Sequence, residues 1–591
     1  MIGTYAAGAA ICVSSLAIGQ AAILLCGGRR WSWLAPAVGL ALLCAVCWGT
    51  VRLPGDGVVS AVAVLVLTIA AVAYLWGRAE GTGQALRAGW PVALIALLAV
   101  SLPFAVEGHF GILGTSFNPD MSQHLLTADR LAEGHSSQLL NQGYPLGPHS
   151  IVVALDKGLG IGLVQGFSGL TVAVAVLASL TALAAFADLP FVPRTAGALL
   201  VGLAYVVASY FAQGAFKETM QALFLLAFVL ALRESGRGWA DLPLRLVPAA
   251  LIAVGSVYTY SFPGLIWLGG TAVLLLIASA VGGDDREDSP GRESPRPETG
   301  PAARALGLAV LAFVVLVAPE IGRMIDFHSF ETFDPNGPGL GNLFGQISPF
   351  EALGIWPSGD FRLAPGDGAV PAAVYYLGIA FALALFVYGL IWLWRRRESA
   401  ILAGLGAAAL AYVAARIGGT PYTAAKAIEI AAPLVALTIL LPLLPSVARF
   451  LSRARHDKGT TQLAWPVAAV LFVVAAGVCS LLALANAPVG PTTYSSTLSD
   501  YRKVVGEGPT LVVASPQLLS EEHGGPYLAW ELRGGRVCIQ STAETGKLPA
   551  GVRFVIAEGD DWTLRKVARP VPGKTPCPLI AVRQARQGPA R

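Results

Sequence analysis

From Ile2 to about Ala485 the sequence is a succession of long apolar runs separated by short charged turns. A helix needs about 20 mostly apolar residues to cross the hydrocarbon core of a bilayer, and most of these runs approach that length. Only 13% of the 591 residues are charged, roughly half the share of about 25% typical of soluble proteins. The deficit is confined to the region before Asn486; the residues after it have soluble character. A single soluble domain and a disordered chain are both excluded. The expected fold class is a polytopic α-helical membrane protein with a small C-terminal α/β domain.

About 14 spans are expected, centred near residues 14, 42, 67, 98, 176, 204, 225, 253, 272, 312, 382, 408, 436 and 475. The first, roughly Ile2 to Leu25, has Arg29 and Arg30 after its apolar run and no basic segment before it. It therefore reads as a retained helix and not a cleaved signal peptide. With the N-terminus outside, the basic residues concentrate on the inner loops. These loops carry Arg29 and Arg30, Arg78 and Arg87, Arg194, then Arg233, Arg237 and Arg245, the segment Gly282–Arg304, Arg395 to Arg397, and Arg449 to Lys458. The intervening loops hold only Arg52, Arg130, Lys157, Lys217, Arg323, Arg362, Arg416 and Lys426 over much longer sequence. The implied location is a plasma membrane, with the N-terminus and the C-terminal domain both extracytoplasmic. The inner segment Gly282–Arg304 is charged, Pro-rich and without large apolar residues, and is expected to be disordered.

Residues 1–485 form the expected membrane domain, with long outer loops at 107–163 and 320–368, and residues 486–591 a separate outer domain. In this tail, Thr510–Ser515, Arg536–Gln540, Val552–Ala557 and Pro578–Val582 read as short buried strands, with helix over Pro516–Glu522 and Pro526–Leu532. Cys538 and Cys577 are the two cysteines of the tail and form a disulfide if it faces an oxidising compartment. The other five, Cys12, Cys26, Cys44, Cys47 and Cys479, lie in or beside apolar runs. Cys44 and Cys47 have the spacing of a redox or zinc motif but no second ligand pair, so they read as packing residues. No basic patch interleaved with aromatics exists, which argues against a nucleic-acid partner.

Ionisable groups inside a membrane are costly and tend to be functional. Here they gather at the outer ends of spans, which points to chemistry at the membrane face. In the first long loop, Phe117-Asn-Pro-Asp-Met-Ser-Gln-His124 predicts a helix capped by Asn118, with Pro119 as its first residue. Its apolar residues Leu125, Leu126, Ala128, Leu131 and Ala132 make one face, so the helix is expected to lie along the membrane surface. Asp120 and His124, four residues apart, are candidate catalytic groups, because the helix dipole keeps Asp120 ionised and able to accept a proton. Asp129 and Glu133 read as solvated. Gln142-Gly-Tyr-Pro-Leu-Gly-Pro-His-Ser150 is a rigid aromatic turn that places Tyr144 and His149 where they could close over a ligand. Lys217, in Gly214–Met220, and Lys426, with Arg416 and Tyr422 nearby, offer the cations and hydrogen-bond donors a lipid phosphate needs. The second long loop mixes Glu320, Asp326 and His328 with aromatics, a composition suited to sugar hydroxyls. No P-loop, serine-hydrolase elbow or Rossmann fingerprint occurs.

This layout resembles a GT-C-type membrane glycosyltransferase: many spans, an acidic residue in the first long external loop (the motif Asn118-Pro-Asp120), basic residues on outer helix ends, and an extracytoplasmic C-terminal domain. It is similar to the cell-envelope glycosyltransferases of high-GC bacteria, including the arabinofuranosyltransferases that build arabinan. The resemblance implies a polyprenyl-phosphate sugar as donor and a glycan or glycolipid as acceptor. Asp120 would act as base on the acceptor hydroxyl, Lys426 and Arg416 would hold the donor phosphate, and Lys217 would stand in reserve. Two features depart from that pattern: Asp120 lacks a second acid beside it, and three extra spans precede the one that leads into its loop. No further cofactor is required, and no residue cluster demands a divalent ion. Membrane lipids are the expected surroundings, and the tail offers a surface to an envelope protein. A flippase for lipid-linked sugars and a non-catalytic envelope scaffold are the rival readings.

Overall fold

The computed structural model describes the chain except residues 116, 119, 136, 238–239, 282–298, 329–338, 454–463, 521–523, 544–546 and 580–591. Most of the segment expected to be disordered, Gly282–Arg304, lies outside the described residues. Among those described, ten helices are long and apolar enough to cross a membrane, and the chain is a multi-pass membrane protein. Two helices form its centre: 89% of the apolar window of Leu163–Phe186 and 94% of that of Pro421–Phe450 are buried, against 11% for Asp56–Leu75, which faces outward.

The expected count of fourteen spans is not met, for identifiable reasons. Ala35–Val51 has only 17 residues, Phe191–Gly202 and Tyr205–Ala212 are two pieces bent by 52°, and Phe216–Ser235 carries charge at both ends, with Lys217 and Glu218 at one and Arg233 and Glu234 at the other. The runs centred at 253 and 272 fall within one helical stretch, Val247–Val281, broken at Ser261 (φ 58°, ψ −154°). Ser256 Oγ lies 2.8 Å from Gln221 Oε1, and the Gln221 amide donates to the Gly264 carbonyl at 3.0 Å. Eight residues of straight helix would separate Ser256 from Gly264 by about 12 Å, so the chain bends sharply back at Ser261. The short helix Ala35–Val51 is held by close backbone approach. A Cβ on Gly39 would overlap the Ser15 carbonyl, and one on Gly19 would overlap that of Ala35, the small-residue packing that lets helices associate in lipid.

Two sets of loops collect at two faces. On one, Trp31 N–H donates to the Glu80 carbonyl at 2.9 Å, and Glu398 binds Arg233 at 3.0 Å and Arg237 at 2.7 Å. On the other, the first long loop meets the second through Arg323, which donates to the Tyr144 carbonyl at 2.7 Å, and through Asn342, which donates to the Phe117 carbonyl at 3.0 Å. The tail joins this second face: Val489–Gly490 pairs antiparallel with Ile112–Leu113, Gly114 N–H donates to the Pro488 carbonyl at 2.7 Å, and Gly524–Glu531 packs on Met121–Ala132.

The tail sheet runs in the order Val537–Ser541, Thr510–Ala514, Phe554–Ala557, Thr563–Lys566; the first three strands are parallel and the last is antiparallel. Helices occupy Pro516–Ser520 and Gly524–Glu531. Three of the four expected strands are present. The fourth place is taken by Thr563–Lys566, a largely exposed edge strand without the apolar pattern used to find the others. Of the expected strand Pro578–Val582, Leu579 makes an isolated bridge to Arg536, and residues from 580 onward lie outside the described chain. Cys538 and Cys577 form a disulfide.

Candidate active site at the loop face

The helix of the first long loop starts later than the sequence suggests. It spans Met121–Ala132 with Asp120 as its N-cap, in place of a cap at Asn118. Asn118 Oδ1 accepts from Asp120 N–H at 3.0 Å, and its amide donates to Asp120 Oδ2 at 3.1 Å. This local turn moves the cap two residues on; Pro119 lies outside the described residues. Nor is the polar side of the helix open to water. His124, Thr127 and Asp129 on its polar side are buried as thoroughly as Leu125 and Leu131, because the tail helix Gly524–Glu531 and the loop helix Gly147–Leu159 pack against it. Asp129, expected in solvent, is 3% exposed, and the tail's Arg533 lies within its electrostatic reach. Glu133 pairs with Lys157 at 2.7 Å.

His124 and His149 meet in the interior: His124 Nδ1 is 3.1 Å from His149 Nε2. Tyr144, Phe167 and Phe216 surround the pair at ring-centroid distances of 5.0–6.4 Å. His149 is 0% exposed, and its Nδ1 has no hydrogen-bond partner among the described residues. The two histidines form a floor under Tyr144. Burial pushes the His149 pKa from 6.5 down to about 3, so the unfolded chain binds a proton there that the folded chain refuses. Stability therefore falls as pH drops below 6.5, by about 2 kcal/mol at pH 5. Thermal unfolding between pH 7.5 and 5 should show this loss, and His149→Asn should flatten it; an unchanged slope would count against the assignment.

Above that floor lies a chain of charges. Lys217 donates to the Tyr144 hydroxyl and sits 4.1 Å from the centre of that ring and 5.9 Å from that of Tyr260. Glu218 binds Lys426 at 3.0 Å, and Lys426 lies 4.2 Å above the Tyr422 ring. Asp120 is within electrostatic reach of Lys217, as are Glu218 and Lys426. Of the candidates named from the sequence, the fold brings Asp120, Tyr144, Lys217, Tyr422 and Lys426 into one neighbourhood. Three helices begin there, Met121–Ala132, Phe216–Ser235 and the helix opening at Pro421, so three N-terminal dipole ends add positive potential.

Other expected residues have different surroundings. Glu320 accepts from the Trp48 indole and pairs with Arg52 at 3.6 Å and Arg323 at 3.5 Å, with both guanidiniums over the Trp48 ring. Arg323 in turn donates to the Leu140 and Tyr144 carbonyls, so this group fixes the aromatic turn from below. Gly143 has a φ of 70° and its Cβ position would overlap the Arg323 carbonyl; only glycine allows the turn to approach so closely. Asp326 and His328 are exposed at the far end of this segment, and Arg416 is exposed near the end of Ser399–Gly418. Arg416 makes no ion pair among the described residues and does not join the lysines. The sequence reading missed Glu218 as the partner of Lys426, and Glu429, one turn after Lys426. Glu429 is 0% exposed with neither carboxylate oxygen hydrogen-bonded among the described residues. The spacing of Lys426 and Glu429 on a single helix face was the available signal. Among the described residues no group of three or more His, Cys, Asp or Glu is arranged to hold a metal ion.

No protein-family profile and no curated protein matches the sequence. Solved structures do resemble the fold. The archaeal oligosaccharyltransferase AglB from Archaeoglobus fulgidus, solved with an inhibitory peptide and a dolichol-phosphate, matches over 79% of this chain and 69% of its own, at 13% identity and a TM-score of 0.41. The arabinofuranosyltransferase AftD from Mycobacteria matches over 80% of this chain and 35% of its own, at 15% identity and a TM-score of 0.47. This chain spans about a third of the second. Neither likeness, at such identity and TM-score, assigns a residue or an activity to this chain.

Proposed function

We propose that the protein transfers a sugar from a polyprenyl-phosphate donor to a glycan or glycolipid acceptor. The reaction takes place at the membrane face where its two long loops and tail meet, and that face is extracytoplasmic. The observation that carries this reading is the convergence of one carboxylate, Asp120, with the Lys217–Glu218–Lys426 chain at three helix N-termini. A lipid phosphate that departs from a sugar bears negative charge, and preorganised cations and dipole ends stabilise that charge as it develops. Lys426 and Lys217 supply the cations, and Glu218 holds Lys426 in place until the phosphate competes for it. The Tyr144 and Tyr422 rings give the ammonium groups apolar faces to rest on. Asp120 accepts the proton of the acceptor hydroxyl as that oxygen attacks the anomeric carbon and the phosphate leaves with the bonding pair. Direct displacement inverts the anomeric centre. Purified protein in liposomes, given polyprenyl-phosphate pentose or hexose donors and octyl glycoside acceptors, should form an octyl disaccharide of inverted configuration. Absence of transfer from every donor in the set would reject the reading.

A further inference from the structure

The tail carries one side chain that the site described above does not use. Tyr494 follows the strand Val489–Gly490, which pairs with Ile112–Leu113 just ahead of the Asp120 turn, and the Gly490 backbone lies against Thr115. Its own position is fixed twice: Glu531 accepts from its backbone N–H, and its ring meets Tyr527 edge to face at 5.1 Å. Glu531 is anchored in turn by Arg502 at 2.7 Å. The hydroxyl so placed is buried and has no hydrogen-bond partner among the described residues. Burial, and after it the charge of Asp120, push this phenol well above its usual pKa. A neutral donor is therefore held within electrostatic reach of the candidate base. A buried hydroxyl left without a partner is unfavourable, and a substrate hydroxyl placed between it and Asp120 would satisfy it.

We propose that Tyr494 completes the site from the tail, its hydroxyl contacting the acceptor hydroxyl on the side opposite Asp120. The inference rests on the reading of Asp120 given above. It makes the tail part of the active site, not an attached binding module.

The test compares wild type, Asp120→Asn and Tyr494→Phe in the liposome assay, with an octyl furanoside or pyranoside that the wild type accepts. Phe keeps the ring and its edge-to-face contact with Tyr527, and an unchanged thermal unfolding curve verifies the fold. Tyr494→Phe is expected to lower kcat/KM for the acceptor about tenfold, the worth of one neutral hydrogen bond, with the donor KM unchanged. Wild-type acceptor kinetics in Tyr494→Phe beside an inactive Asp120→Asn overturn the role of Tyr494 and leave the base standing. A fully active Asp120→Asn overturns the base, while the acceptor kinetics of Tyr494→Phe still report on the tyrosine alone. Independently of turnover, the double variant Asp120→Cys/Tyr494→Cys should be bridged by a short bis-maleimide. Asp120→Cys paired with Arg565→Cys, on the exposed edge strand, should not. Failure of the first pair to cross-link overturns the placement.

Discussion

Asp120→Asn is expected to slow sugar transfer roughly a hundred- to ten-thousand-fold, the range that a positioned general base contributes, while leaving the protein folded. The substitution isolates the charge because the rest of the residue's work is conserved. The Asp120 side chain makes no capping bond, an Asn side chain keeps an oxygen to accept from the Asn118 amide as Asp120 Oδ2 does, and the bond from the residue-120 N–H to Asn118 Oδ1 does not involve the side chain that changes. Lys217, a charged neighbour that loses an opposite charge, retains Tyr144 and Glu218. Initial rates at saturating donor and acceptor, set beside thermal unfolding, decide the matter. A variant that turns over at the wild-type rate rejects Asp120 as the base.

Lys426→Met should have two separable consequences. The ion pair with Glu218 is largely shielded, with side-chain exposures of 13% and 6%. Loss of Lys426 leaves the buried Glu218 with Lys217 as its nearby cation, so the cost should approach but not exceed the about 3–5 kcal/mol of a broken buried pair. The variant should also bind a polyprenyl phosphate roughly ten- to a hundredfold more weakly, as expected for loss of a charge-assisted contact. The double variant Lys426→Met/Glu218→Gln removes the stranded charge and should regain most of the stability without regaining affinity. If the double variant recovers both, Lys426 serves the fold and not the phosphate.

The candidates from the sequence that the fold brings together are those with a local signal. Asp120, Lys217 and Lys426 are charges set against apolar runs, where they are rare enough to be conspicuous, and Tyr144 and Tyr422 lie in turns rich in Gly and Pro. Arg416 has the same local signal as Lys426, but a break at Gly418 to Thr420 separates the two helices, and sequence distance gives no rotation about their axes. The burial of His124 was not legible for another reason. An amphipathic pattern in Met121–Ala132 implies an uncovered polar side, and the cover comes from Gly524–Glu531, nearly four hundred residues away. Tyr494 and Glu531 are invisible for the same reason. At the level of the fold, the apolar runs located nearly every helix. What they could not give was how a run behaves once length and charge become marginal, as in Ala35–Val51 and Phe216–Ser235, or where a continuous apolar stretch turns on one residue, as at Ser261.

The pairing of Val489–Gly490 with Ile112–Leu113 also bears on biosynthesis. The segment holding Asp120 is made early, yet its partner strand emerges from the ribosome only after every membrane helix among the described residues has been made. Until then the nascent loop exposes an open strand edge and an uncovered helix, the kind of surface that chaperones and proteases recognise. A chain interrupted before residue 489 would thus be inserted in the bilayer with Asp120 unframed, so under the proposed function quality control and the onset of activity depend on the same late event.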